Sequence, residues 1–202
     1  MSAVVITGDT SGTVTLQAPA VAGTTTLTLP TTSGNVLTSA SSIATSQLSG
    51  SISASSLPTG SVLQVVQGTY TTFTSSSSST YADTGLSASI TPSSSSNKVL
   101  VFATMVGVGK NTGNCKVALR LVRNSTNLDE FSTETAGSPW NTTTQVDVGT
   151  TSSITLDSPA TTSSTTYKVQ LASTGNTAQV FINNVNGSTE IGCTLTLMEI
   201  KG

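Results

Sequence analysis

From residue 61 onward, apolar and polar positions alternate with a period of two, and no run of ten or more residues carries a helical period. Three stretches show this most plainly. Cys115, Val117, Leu119 and Leu121 share one face, with Lys116 and Arg120 on the other. Tyr167, Val169 and Leu171 alternate with Lys168 and Gln170, and Ile191, Cys193, Leu195 and Leu197 alternate with Gly192, Thr194 and Thr196. The pattern predicts strands near 61–67, 69–74, 86–91, 98–107, 115–123, 144–148, 152–157, 165–172, 178–184 and 190–199. One polar and one apolar face per strand is the mark of an antiparallel sheet that is wet on one side. Residues 99–106 are apolar on both faces, which suits a central strand or one buried between subunits. Runs such as 75–79 (SSSSS), 93–97 (SSSSN), 111–114 (NTGN) and 183–187 (NNVNG) supply the turns. So many short strands over 61–202 predict an all-β sandwich, jelly-roll-like in class.

The first third of the chain reads differently. Residues 12–19 (GTVTLQAP) recur eleven residues later as 23–30 (GTTTLTLP), and Gly34 opens a third, degenerate copy. Each unit predicts a strand of about five residues, with Thr alternating with apolar residues and Gly and Pro as punctuation. Residues 39–60 are small, uncharged and Ser-rich, as in a linker. The expected organisation is therefore a β-rich attachment or trimerisation segment at 1–38, a linker at 39–60 and an antiparallel β-sandwich head at 61–202.

Composition sharpens that division. Residues 1–69 contain no aromatic residue, no Lys and no Arg, and their sole charge is Asp9. All eight aromatics and all seven basic residues lie beyond. Aromatic side chains supply much of a core's burial energy, and stacked repeats usually need three or more units to be stable. The first segment thus calls for company, most simply from identical chains.

Ser and Thr together number 74 of 202 residues, charged residues are only 8%, and there is no His. A chain without His has no Ser-His-Asp or Cys-His nucleophile and lacks the commonest transition-metal ligand. A net charge of −2 without a basic cluster gives no footprint for nucleic acid. No stretch is long and apolar enough for a membrane helix. The amino terminus has no basic n-region, and Val4-Val5-Ile6 is too short for the apolar core of a secretory signal, so none is expected. Yet the Ser/Thr-rich, charge-poor composition resembles that of extracellular proteins. A virion component, assembled in a host cytoplasm and released by lysis, resolves that contradiction.

Candidate chemistry is sparse. The carboxylates are Asp9, Asp83, Asp129, Glu130, Glu134, Asp147, Asp157, Glu190 and Glu199. Glycoside hydrolysis needs two of them facing across a cleft, and Asp129 and Glu130 with Glu134, next to Phe131 and Trp140, form the only acidic-aromatic concentration. Trp140 with Asn141, in the turn 136–142 (AGSPWNT), is the candidate binding pair: an indole face beside a fixed amide is what glycan recognition uses. Packing of Trp140 over one end of the sandwich is the competing reading. Lys116 and Arg120 form a solvated strand face, or a contact for an acidic surface. Asp83-Thr84-Gly85 matches an aspartic-protease triplet in a single copy, which a turn between strands explains. The Asn-x-Ser/Thr triplets at Asn124, Asn141 and Asn186 are expected by chance at this hydroxyl content. Cys115 and Cys193, 78 residues apart without a CxxC, read as two buried free thiols or as a cross-strand disulfide. No catalytic residue, metal site or cofactor is expected.

The segment 12–38 (GTVTLQAPAVAGTTTLTLPTTSGNVLT) resembles a module of fibre and other virion proteins of tailed bacteriophages, particularly marine and cyanobacterial ones. The phrases GSVLQVVQGTY, YADTGLSASITPSSSSNKVLVFA and CTLTLMEIKG look like the terminal β domain of phage fibre-like proteins. The resemblance implies a non-enzymatic, homotrimeric fibre, spike or capsid-decorating protein. Its first segment would anchor it to other virion proteins of the capsid or tail, with a jelly-roll or knob-like head exposed. A receptor- or glycan-binding adhesin tip is the alternative. The implied partners are copies of the chain, other virion proteins and, for an adhesin, a host glycan, without nucleic acid or membrane insertion.

Overall fold

Strands form where the alternation places them, and their pairing decides the architecture. The computed structural model describes residues 3–7, 13–17, 31, 52–112, 115–131, 146–184 and 192–202. The chain divides into two units, 1–51 and 52–202.

In the first unit, β1 (Ala3–Thr7) and β2 (Thr13–Gln17) pair antiparallel, with Ala3 opposite Gln17 and Thr7 opposite Thr13. β2 is the first copy of the repeat. The second and third copies lie outside the described residues. Val5 and Ile6 are 57% and 56% exposed. A two-stranded ribbon is marginal in water without a surface to cover its apolar side chains.

Among the described residues, the second unit contains ten strands. They are β3 (Val62–Tyr70), β4 (Thr74–Ser76), β5 (Ala82–Ile90), β6 (Lys98–Lys110), β7 (Lys116–Arg123), β8 (Thr126–Glu130), β9 (Val146–Asp157), β10 (Thr165–Thr174), β11 (Val180–Ile182) and β12 (Cys193–Ile200). Eight of them pair in a nested order: β7 with β8, β6 with β9, β5 with β10 and β3 with β12, all antiparallel. This is one long hairpin rolled up on itself. Lateral pairing of β12 with β6 and of β10 with β7 closes two sheets, β3-β12-β6-β9 and β5-β10-β7-β8. Two four-stranded sheets from a rolled hairpin define a jelly roll. β4 and β11 extend the first sheet along the far end of β6.

The alternating residues fill the space between the sheets. Cys115, Val117, Leu119 and Leu121 from β7 and its approach, Tyr167, Val169 and Leu171 from β10, and Cys193, Leu195 and Leu197 from β12 are all buried, as the period-two pattern requires. β6 is central in its sheet, as its two-sided apolar character predicts. The strands differ from expectation in some details, the predicted strand 69–74 among them, since β3 runs on to Tyr70 and β4 begins at Thr74. The predicted strands 144–148 and 152–157 are one strand, β9, which passes through Gly149 at φ +99°. β8 was not expected, because TNLDE has no apolar alternation and is held by pairing with β7. The described end of the 39–60 segment, residues 52–60, is tied to the head: Lys201 Nζ donates to the Ser55 and Leu57 carbonyls, and Gly60 N donates to Lys201 O.

The sheets approach closely where β3 passes β5. A Cβ at Gly68 would overlap the Ser87 carbonyl oxygen, a backbone atom that cannot swing aside. Gly68→Ala is therefore expected to cost about 1–3 kcal/mol through overpacking, read from the urea midpoint at unchanged m-value. A loss below about 0.5 kcal/mol would show that the strands separate freely there.

Candidate functional site

The second sheet turns a polar face outward, and its charged groups engage one another. The Arg120 guanidinium carbon lies 4.1 Å from the Tyr81 ring centroid, and Arg120 Nε donates to Gln170 Oε1 at 2.7 Å. Gln170 Nε2 donates in turn to Asp83 Oδ1 at 2.6 Å, and Lys168 Nζ to Asp83 Oδ2 at 2.8 Å. These donors hold the Asp83 carboxyl below the usual carboxylate range, and burial followed by the Glu130 charge raises the Tyr81 phenol. A carboxylate with a depressed pKa is a poor general acid at neutral pH. Asp83 thus belongs to a solvated strand-face network.

Four other carboxylates of the head are likewise used in construction. Asp129 accepts from Ser153 Oγ at 2.5 Å, joining β8 to β9, and Glu130 accepts from Asn127 Nδ2. Asp157 accepts two hydrogen bonds from Arg123 Nη1 and one from the Tyr167 hydroxyl, each at 2.7 Å. Glu199 is 1% exposed on β12 and receives Ser93 N, Ser93 Oγ, Asn97 Nδ2 and Gln64 Nε2. Desolvation works to raise its pKa, but the four donors outweigh it and leave the carboxyl below its usual value. The sequence could not single out Glu199, since its partners lie 102–135 residues away.

Two open hollows mark the head. One of about 300 Å³ is lined by Leu63, Ser93, Asn97 and Lys201, and one of about 270 Å³ by Asp83, Ser87, Thr166 and Lys168. In each, the charged side chains already have partners within the fold. Among the described residues, no three His, Cys, Asp or Glu side chains are grouped to hold a metal, and no helix is long and apolar enough to cross a membrane. Trp140 and Asn141, the candidate glycan contact, lie outside the described residues, as does Glu134.

Cys115 and Cys193 are both free and buried. Cys193 Sγ meets Asn183 Oδ1 at 3.0 Å, and burial pushes its thiol pKa up. Cys115 Sγ lies 3.2 Å from Ser173 Oγ and 3.3 Å from the Ala178 carbonyl. Both thiols are buried away from solvent, so neither cysteine should react with a disulfide reagent at pH 8 in the folded head. Both should react on addition of guanidinium, and titration of a native thiol within seconds would contradict this burial.

The outer face of the first sheet has the opposite character. Across its four strands, cross-strand register aligns Val65, Met198, Leu100 and Leu156 in one row and Gln67, Thr196, Phe102 and Ile154 in the next. A third row is Thr69, Thr194, Thr104 and Ser152, and Val62 opposite Ile200 and Lys98 ends the face. The strand β9 is inverted relative to its hydrophobicity. Ser153 and Asp157 turn inward at 6% and 9% exposure, while Ile154 and Leu156 turn outward at 65% and 54%. A one-residue slip would exchange the two faces. The bonds to Asp129, Arg123 and Tyr167 hold the polar side inward instead.

Comparison with protein families and with curated proteins finds no match to this chain. The class of the molecule therefore rests on its own geometry: a jelly-roll head preceded by a small β-ribbon unit.

Proposed function

We propose that this protein is a non-enzymatic structural component of a tailed-phage virion, a homotrimeric fibre, spike or capsid-decorating protein. Residues 1–38 anchor it to the capsid or tail, and the jelly-roll head is carried outside. The observation that carries the reading is the unequal division of the chain. Residues 52–202 form a jelly roll with its own core, whereas the described strands of residues 1–51 leave Val5 and Ile6 exposed. An element that cannot bury its apolar side chains alone gains stability by docking on other chains. The head's described charged side chains mostly bond within the fold, in keeping with a structural role.

Two measurements test the reading. Light scattering of the purified chain should give three times 20.3 kDa. Antibodies to the head should decorate purified phage particles, on the capsid or on the tail. A 20.3 kDa monomer at all concentrations would remove the trimer, and particles free of the protein would remove the virion assignment.

A further inference from the structure

We infer that the outer face of the β3-β12-β6-β9 sheet is a contact between copies of this chain, an inference that rests on the self-associating virion reading above. Three observations converge on it. The face is apolar at its centre, where Val65, Met198, Leu100, Phe102, Ile154 and Leu156 adjoin across all four strands. The inverted β9 places its two apolar side chains there, although the opposite register would bury them. The opposite sheet, by contrast, covers its outer face with Arg120, Lys168, Gln170 and Asp83. Water is therefore the designed neighbour of one face and not of the other.

The chemistry of the face selects its occupant. With strands about 4.8 Å apart and rows about 6.8 Å apart, the two apolar rows span roughly 250 Å² and the whole face roughly 500 Å². The whole face is more than half of the ~800 Å² that each partner gives to a standard interface. Among the described residues its only formal charge is Lys98, at one corner, so nucleic acid or an acidic protein finds little to pair with. The Gln67 amide is taken by Thr196 Oγ1 at 2.9 Å, and the other polar groups of the face are mainly the hydroxyls of one row, without the free amides or carboxylates that fix a glycan. A lipid-inserting face would carry a basic and aromatic rim. Copies of the chain present the same ridged surface, uncharged but for the corner Lys98, so three such faces turned toward a common axis cover one another's apolar rows.

The test uses the full chain. Ile154→Cys introduces an exposed thiol in a protein whose own cysteines are buried, and a short bismaleimide should link chains covalently through it. Ser87→Cys, on the opposite sheet, should not link. Ile154→Glu with Leu156→Glu should weaken association at least tenfold by sedimentation, with an unchanged circular dichroism spectrum. An oligomer that neither links through residue 154 nor responds to the glutamates overturns this face while leaving the trimeric reading intact. A monomeric chain overturns both. Flotation of the wild-type chain with phosphatidylcholine–phosphatidylglycerol vesicles, lost in the double glutamate variant, would assign the face to lipid and likewise overturn the inference.

Discussion

Asp157→Ala should be among the most damaging single substitutions in the head, costing about 3 kcal/mol, the lower end of what removing one partner of a buried ion pair costs. The lower end applies because the Arg123 side chain is 22% exposed and can recover some hydration. Asp157 sits at the end of β9 in the first sheet, while Arg123 and Tyr167 belong to β7 and β10 of the second, so the cluster ties the sheets together. Its loss strands a guanidinium and a fully buried phenol. Tyr167→Phe alone should cost only about 1–2 kcal/mol. In the Asp157→Ala background it should cost less, because the hydroxyl has already lost its acceptor. A double-mutant cycle by thermal and urea unfolding measures this, and additive losses would show that the hydroxyl and carboxylate act separately. Burial first, and then the Asp157 carboxylate, raise the Tyr167 phenol far above its ordinary value of 10.0. Above pH 10 the unfolded chain releases a proton that the folded chain keeps, so stability should fall with rising alkalinity. Tyr167→Phe should flatten that fall.

Glu199→Gln is the second large expected effect, at about 2 kcal/mol. Every partner of this carboxylate is a donor: a backbone N–H and a hydroxyl from Ser93 and side-chain amides from Asn97 and Gln64. An amide of the same shape turns its own NH2 toward one set of them, so the substitution puts donor against donor in a buried site. The same chemistry sets the acid response. The folded-state carboxyl titrates below its usual 4.5, so it contributes stability above that pH and loses the contribution as pH falls through the lower folded value. The wild-type head should therefore weaken on acidification below pH 4.5, and Glu199→Gln should be less stable at neutral pH with a shallower acid slope. Parallel pH profiles of the two proteins would refute the role given to Glu199. Asp83 shifts in the same direction, but its side chain is 53% exposed in its pair with Lys168, and it contributes little.

Much of the fold was legible before any coordinates. The alternations through residues 115–121, 167–171 and 193–197 named both the strands and the buried side chains, because pleating places every second side chain on the same face regardless of what lies opposite. The absence of aromatic and basic residues from 1–69 runs past the first unit, which ends at residue 51, into β3 of the head. The candidate site was less legible. Trp140 and Asn141 stood out by residue type, while the inverted β9 and its apolar outer face carry no local signal beyond the alternation of Ile154 and Leu156 with Ser153 and Asp157.

The sequence by itself thus determined an all-β head, its main strands and most of its core, since those follow from the local period of the backbone and the cost of hydrating apolar side chains. Only the tertiary structure decided that the strands nest as a rolled hairpin, and that Glu199 is a buried acceptor. Only it decided that β9 faces its polar side inward. Those outcomes depend on partners far along the chain, Gln64 for Glu199 at 135 residues and Arg123 for Asp157 at 34. A strand's pattern says that it has two faces, and the hydrogen bonds offered by its neighbours choose which one is buried.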